Sequence, residues 1–398
     1  MNSKRTEQLY LDEISLLAQD EEAFEAYVRL NLRKIKKHRR KFNIPVVGIS
    51  GTEGKTITKR MISAIFGEQR AILETPPDCS TASGVTSTLL RLSAEHELAM
   101  LELGIVNPEQ FKNVVRIAEP TIGVVTNIGE SHLANLGDKY TIADAKEELV
   151  RYLPRSGYAV LNIDDDLVTA LSRFAPESRV VKFGLNQSAH FYASAIDYLG
   201  PDGIAFKVND FYHFHMPIYS SSAVYNALTA IAVARLMGLP FEQIQQGLQE
   251  RFSLYSRKGN LLRHKQNYIL DYTYDATFNS VTKACESLVQ FKPFSRKLTL
   301  VIGDMNKPGP HPDEAHLKLG YYVAALPIDS VVTLGENARH IIAGMKRLNK
   351  KDAVYEACGN HAEVLAHLKR NETEGTTILF TGKSDLEMQH LVDALIAE

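Results

Sequence analysis

The chain has 398 residues, which at roughly 150 residues per domain calls for two or three domains. Hydrophobic residues make up 44% and charged residues 23%, a balance that excludes a disordered, collagenous or coiled-coil chain. Lys plus Arg number 45 against 47 Asp plus Glu, for a formal net charge of -2, so no one-signed field favours nucleic acid and none is expected as a partner. The three cysteines, Cys79, Cys285 and Cys358, are too far apart for a disulfide framework or a zinc cluster. With neither a leader-like start nor an apolar run of about 18 residues, a cytoplasmic chain without membrane association is expected.

Residues 6 to 40 carry apolar positions at helical spacing (Leu9, Leu11, Ile14, Leu17, then Phe24, Tyr27, Val28, Ile35), predicting two helices. They form a helical preface over 1–42, too small for a domain, and its basic tract from Arg33 to Lys41 reads as a solvated helix face. A central domain over 43–253 opens with a buried strand at Pro45 to Ser50, a turn at Gly51 to Gly54 and a helix at Lys55 to Phe66. Strands recur at Leu98 to Leu103 and Ile122 to Asn127, the rhythm of a parallel sheet. Between 190 and 217 short strands, with Asn209-Asp210 as a hairpin turn, suggest an antiparallel appendage on the same domain, followed by a helix at Ser222 to Met237. A second alternation fills 254–398, with strands at Tyr268 to Asp271, Lys297 to Gly303, Ser330 to Leu334 and Thr376 to Thr381. Helices are predicted over 280–290, 314–325, 338–347, 360–370 and 386–397. The fold class is α/β: a central domain on a mostly parallel sheet, then a C-terminal Rossmann-like, doubly wound domain.

The run Val46-Val47-Gly48-Ile49-Ser50-Gly51-Thr52-Glu53-Gly54-Lys55-Thr56 sets a glycine-rich turn between a strand and a helix that opens with Lys-Thr. Backbone N–H groups at such a helix start hold phosphate oxygens, Lys55 adds a point charge and the Thr56 hydroxyl can ligate Mg²⁺. A nucleoside triphosphate is the expected ligand, although Ile49 stands where the strict motif has its first glycine.

The form G-T-x-G-K-T resembles the phosphate loop of the Mur ligase superfamily, and four further segments follow in that family's order. Ala99 to Gly104 resembles a strand ending in a magnesium-binding glutamate, here Glu102, and Thr126 to Leu133 resembles T-N-I-x-x-x-H-L, whose histidine, here His132, is a second metal ligand. Ile142 to Glu148 resembles the helix that carries a carbamylated lysine, here Lys146, and Leu161 to Asp165 resembles L-N-x-D-D. Further on, Asn226 in Tyr225 to Ala232 matches an adenine-contacting asparagine, and Arg257 an arginine that reaches the γ-phosphate. Asp271 to Ser280 has the spacing of D-D-S-Y-N-A-N-P-x-S in the D-alanyl-D-alanine-adding, MurF-type branch, whose first aspartate binds ribose. Val301 to Met305, with His316 and Gly320, resembles that branch's G-D-M strand and H-x-x-x-G helix.

The resemblance implies an ATP-dependent amide-bond-forming ligase that works through an acylphosphate. Gly51, Thr52, Glu53, Gly54, Lys55, Thr56, Asn226, Arg257 and Asp271 would hold ATP; Thr56, Glu102, His132 and Lys146 would hold two Mg²⁺ ions, Lys146 as a carbamate. Lys55, His132, Lys146 and Arg257 would be catalytic, with the C-terminal domain closing onto the central one. The partners are then a small-molecule carboxylate and an amine, with Thr81, Tyr274 and Asp275 as candidate substrate residues.

The sequence also departs from the branch. About 45 residues precede the loop, too few for the separate domain that holds a UDP-sugar substrate in muramyl-peptide ligases. The Asn-rich turn has become Cys79 to Thr86, Y-N-A-N-P has become Tyr274 to Phe278, E-L-G has become Lys307-Pro308-Gly309 and K-G-S has become Thr381-Gly382-Lys383. An acid other than the UDP-linked peptide is therefore expected. A polyglutamate-type ligase is the nearest alternative, though it would lack the G-D-M and D-x-x-Y-x-A signals. A non-catalytic ATP-binding regulator would have been free to lose Lys55, Glu102, His132 and Lys146, and a P-loop kinase or GTPase leaves His132 and Lys146 unexplained. His311 and His316 flank a helix start, and His213 and His215 share one strand face, so neither pair is read as a metal site.

Overall fold

The computed structural model describes residues 21–67, 70–129, 138–306, 308–350 and 352–397. Of the two predicted N-terminal helices, the first lies outside these residues and the second is Glu21–Arg39. Two compact units result, one of residues up to 195 with 206–214 and 222–252, the other of 196–205, 215–221 and 253–398.

A nine-stranded sheet in the order β2-β3-β1-β4-β5-β6-β7-β8-β9 underlies the first unit. Its strands are β1 (Val46–Ser50), β2 (Ile72–Glu74), β3 (Leu98–Glu102), β4 (Ile122–Val125), β5 (Tyr158–Asn162), β6 (Val180–Gly184), β7 (Phe191–Tyr198), β8 (Ile204–Val208) and β9 (Tyr212–Met216). Pairing is parallel from β2 through to β7. β1, β3 and β4 are buried at every position, as expected of parallel strands covered on both faces. The segment expected as an antiparallel appendage of this domain joins the sheet directly, and at its junction the expectation is corrected, because β7 pairs in parallel with β6, Phe183 opposite Phe191. Its hairpin turn does fall at Asn209 and Asp210, with φ of 52° and 64°, the left-handed pair that a two-residue turn requires. The helix Glu21–Arg39 packs on this unit, with Ile35 buried in its core.

The second unit contains a six-stranded sheet, order β10-β11-β15-β12-β13-β14. Its strands are β10 (Asn260–His264), β11 (Asn267–Tyr272), β12 (Lys297–Gly303), β13 (Ser330–Leu334), β14 (Val354–Cys358) and β15 (Thr376–Thr381). All pairs are parallel except β10 with β11. Alternate residues feed two separate cores. Leu298, Leu300 and Ile302 of β12, Leu270 of β11 and Leu379 of β15 share one, while Val301, Ile269, Ile378 and Phe380 share the other. That division by twos shows helices on both faces, the doubly wound arrangement. The helices are Phe278–Gln290, Pro312–Ala324, Arg339–Arg347, His361–Asn371 and Gln389–Ile396. Among the described residues no helix is long and apolar enough to cross a membrane.

Candidate active site

The chain leaves β1 at Ser50, turns through Gly51 to Gly54 and enters the helix Lys55–Phe66. Glycine is needed at both ends of the turn. A Cβ on Gly51 would lie 1.8 Å from Thr126 Oγ1, and one on Gly54, where φ is 83°, would lie 2.3 Å from Asn226 Oδ1. The end of β4 holds the turn in place. Thr126 Oγ1 donates to the Glu53 carbonyl at 2.6 Å, and Asn127 accepts from Glu53 N at 3.0 Å and donates back to its carbonyl at 3.1 Å. Thr52 N donates to Asn127 O at 3.1 Å, and Gly129 N to Thr52 Oγ1 at 2.8 Å. Because Gly54 offers no side-chain cap, the first turn presents backbone N–H groups to an anion. Lys55 Nζ donates to the carbonyls of Gly51 at 2.8 Å and Thr52 at 3.1 Å. Burial lowers its pKa, opposed by the charges of Glu102 and Asp78.

At the end of β3, Glu102 is buried and its Oε2 accepts from Thr56 Oγ1 at 2.9 Å. A hydroxyl and a carboxylate meeting at the first turn of a phosphate-binding helix are the hard oxygen donors that Mg²⁺ takes alongside nucleotide phosphates, so these residues fit that ion. Among the described residues no group of three or more His, Cys, Asp or Glu could hold a metal unaided. His132 lies outside the described residues.

Lys146 is completely buried on the helix Lys139–Arg151. Its Nζ donates to Ser50 Oγ at 2.9 Å and lies 5.6 Å from the Phe111 ring centroid, while Ser50 Oγ donates to Leu103 O at 3.0 Å. Burial pushes its pKa well below the ordinary lysine value, and the charge of Lys55 pushes it further. Such a group favours the neutral amine. The L-N-x-D-D segment anchors the strand that supports the turn. Asn162 Nδ2 donates to Thr126 O at 3.0 Å, and Asp165 accepts from Ile128 N at 2.7 Å.

The remaining candidates have these surroundings. Asn226 is buried beside Gly54, its Oδ1 accepting from Thr58 Oγ1 at 3.3 Å. Thr81 caps the helix Ala82–Leu90. In the second unit Arg257 adopts φ 67°, with Nη2 3.7 Å from Asp393 Oδ2. Asp271 is buried and accepts from Thr273 N at 3.0 Å and Oγ1 at 2.7 Å. Tyr274 is exposed with Lys258 Nζ 3.6 Å over its ring, whereas Asp275 accepts from Ala276 N at 2.9 Å and from Asn306 Nδ2. The structure thus brings together the loop, Thr56, Glu102, Lys146 and Asn226 within the first unit. Sequence reasoning missed Ser50, Lys59 and Thr75, which lie around Glu102 and Lys146. The only signal for Lys59 was its position one turn after Lys55, where a surface lysine is equally at home.

The model of the Mur ligase middle domain matches residues 49–234 and that of the Mur ligase, glutamate ligase domain matches 251–384. A UDP-N-acetylmuramoyl-tripeptide--D-alanyl-D-alanine ligase of Synechocystis sp. is 28% identical over 365 residues, 90% of this chain and 76% of that protein. The Escherichia coli ligase of the same name is 26% identical over 355 residues, covering 88% and 76%. MurF from Acinetobacter baumannii superposes with a TM-score of 0.79 at 25% identity over 91% of this chain and 78% of that one. For MurF from Thermotoga maritima, solved in complex with ADP, the TM-score is 0.78 at 21% identity, over 93% and 84%. With the Mur ligase middle-domain and glutamate-ligase-domain models together matching most of its length, the chain belongs to the Mur ligase superfamily and is an ATP-dependent ligase resembling the MurF type.

Proposed function

We propose that this ligase joins a small-molecule carboxylate to the amine of an amino acid or dipeptide, with an acid substrate other than a UDP-muramyl tripeptide. The acid oxygen attacks the γ-phosphorus of ATP and the bond to the β-phosphate bridging oxygen breaks, giving an acylphosphate and ADP. The amine nitrogen then attacks the acyl carbon, phosphate leaves, and a proton is lost from nitrogen. The loop N–H groups and Lys55 stabilise the charge spread over the transferring phosphoryl group. Thr56 and Glu102 are the residues that would hold magnesium, which supplies positive charge at the phosphates when bound. His132 is proposed as a further ligand, and Arg257 and Asp271 as γ-phosphate and ribose contacts, on the family resemblance.

The observation that carries the reading is Lys146, buried and held to Ser50. A neutral lysine amine is a nucleophile toward CO₂, and the carbamate formed, with loss of one proton, would turn that amine into an anionic oxygen donor near Lys55. Support for a different acid comes from Asp275, which stands where the branch has asparagine and whose carboxylate is engaged by Ala276 and Asn306. Cytoplasmic location is part of the same proposal.

The test is phosphate release from Mg-ATP with pooled carboxylates and amines, with and without bicarbonate, for the wild type and Lys146→Ala. Release that needs both an acid and an amine, is lost in the variant and yields a product with the mass of acid plus amine less water establishes the reading. Stimulation by UDP-muramyl tripeptide with D-alanyl-D-alanine would instead make the branch's own substrates those of this chain.

A further inference from the structure

Lys59 is a lysine with no exposed surface. It lies one helical turn beyond Lys55 on the same helix as Thr56. Its Nζ pairs with Glu102 Oε1 at 2.7 Å and donates to the Thr75 carbonyl. Thr75 is itself buried and ties the same strand end down: its Oγ1 accepts from Glu102 N at 2.9 Å, and its N–H donates to Met100 O at 3.1 Å. Glu102 therefore has one oxygen in an ion pair with an ammonium, without a hydrogen bond of its own, and one, Oε2, turned to the Thr56 hydroxyl.

We propose that Lys59 is a positioning residue that holds Glu102 as a charge-compensated ligand offering a single oxygen, so that this site admits a divalent cation only together with a nucleotide. The reasoning is electrostatic. Taking a dication out of water is costly, and a buried site recovers that cost only with enough negative charge close by. Glu102 paired to Lys59 is close to neutral as a unit, so the charge must come from the phosphates held by the loop. Without Lys59, the buried carboxylate would keep only the more distant charge of Lys55, and the cation itself could take the place of the lost ammonium. The mechanism proposed above needs Glu102 as a ligand but makes no use of Lys59. The inference rests on that reading only in requiring that the chain bind a nucleotide.

The experiment titrates the full chain with Mn²⁺, following the free-ion paramagnetic resonance signal with and without ADP. Without ADP, wild type and Glu102→Gln should bind Mn²⁺ indistinguishably. With ADP, the wild type should bind at least tenfold more tightly than Glu102→Gln. Lys59→Met should gain nucleotide-free Mn²⁺ binding at least tenfold tighter than wild type, and adding Glu102→Gln should abolish the gain. Nucleotide-free binding in the wild type that Glu102→Gln removes would overturn the proposal, as would a folded Lys59→Met that gains nothing. Should Lys59→Met fail to fold, judged by circular dichroism, the wild-type and Glu102→Gln pair decides alone. A wild type that binds no ADP overturns the nucleotide reading as well, whereas Mn²⁺ binding at Glu102 without ADP overturns only the role of Lys59.

Discussion

Gly54 couples backbone conformation to packing at one residue. Its φ of 83° disfavours any side chain, and a Cβ would run into Asn226 Oδ1. Gly54→Ala should cost about 1–2 kcal/mol in backbone strain and displace either the loop or Asn226. Thermal denaturation and ADP titration check this, and an unchanged ADP affinity would count against the loop as the phosphate cradle. Lys146 allows a sharper separation of stability from activity. Its Nζ is held by Ser50, yet Ser50 keeps its own bond to Leu103 O, so a volume-conserving Lys146→Met should change stability by less than about 1.5 kcal/mol. Ligase turnover should be lost all the same. Denaturant unfolding beside product formation measures both, and a variant that loses stability while retaining turnover would make Lys146 a structural residue.

At the scale of elements, the helix Pro312–Ala324 is locked to the end of β12 through His316. Nδ1 faces the Pro312 carbonyl at 2.6 Å and must carry the proton, so Nε2 is free to accept from Met305 N at 2.9 Å. Neutral imidazole satisfies both partners, and a second proton would destroy the Met305 bond. Burial lowers the His316 pKa below its ordinary value of 6.5, against smaller raising effects from Pro312 and Asp304. Because the folded value is depressed, the unfolded chain binds more protons as pH falls past 6.5, so this contribution to stability is present above that pH and is lost progressively below it. Melting temperature measured from pH 7.5 down to 5 should fall more steeply for the wild type than for His316→Gln, and parallel curves would refute the link. The His316 helix was readable in advance from Pro312, Asp313 and Glu314 in its first turn. Edge strands were not. β14 is largely exposed and β10 is bounded by Asn260 and His264, so neither gives the apolar run that marked β12 and β13, and β2 is only three residues long.

Across the whole molecule, what was legible in the sequence is the order of short motifs, each contiguous and each tied to one turn or strand end. What was not legible is pairing between distant residues: Ser50 with Lys146, 96 positions apart, or Lys59 with Glu102. A lysine in a helix reads as a surface residue because most are, and only the three-dimensional fold shows two of them buried. Charge behaves similarly, for a net charge of -2 conceals a basic tract in which Lys36 and Arg40 both meet Glu119, at 3.3 Å and 2.9 Å. The buried pairs also determine how the chain should respond to ligand as a whole. Whatever binds only the folded state raises its stability, by about 2.7 kcal/mol at a concentration one hundred times Kd. ADP with Mg²⁺ at that saturation should therefore raise the melting temperature of the wild type. Mg²⁺ alone should leave it unchanged, since Glu102 is already compensated by Lys59, and Gly54→Ala should respond to neither. A scan in which Mg²⁺ alone reproduced the full shift would mean that the carboxylate binds the cation unaided, and the buried ion pair would then have no part in coupling metal to nucleotide.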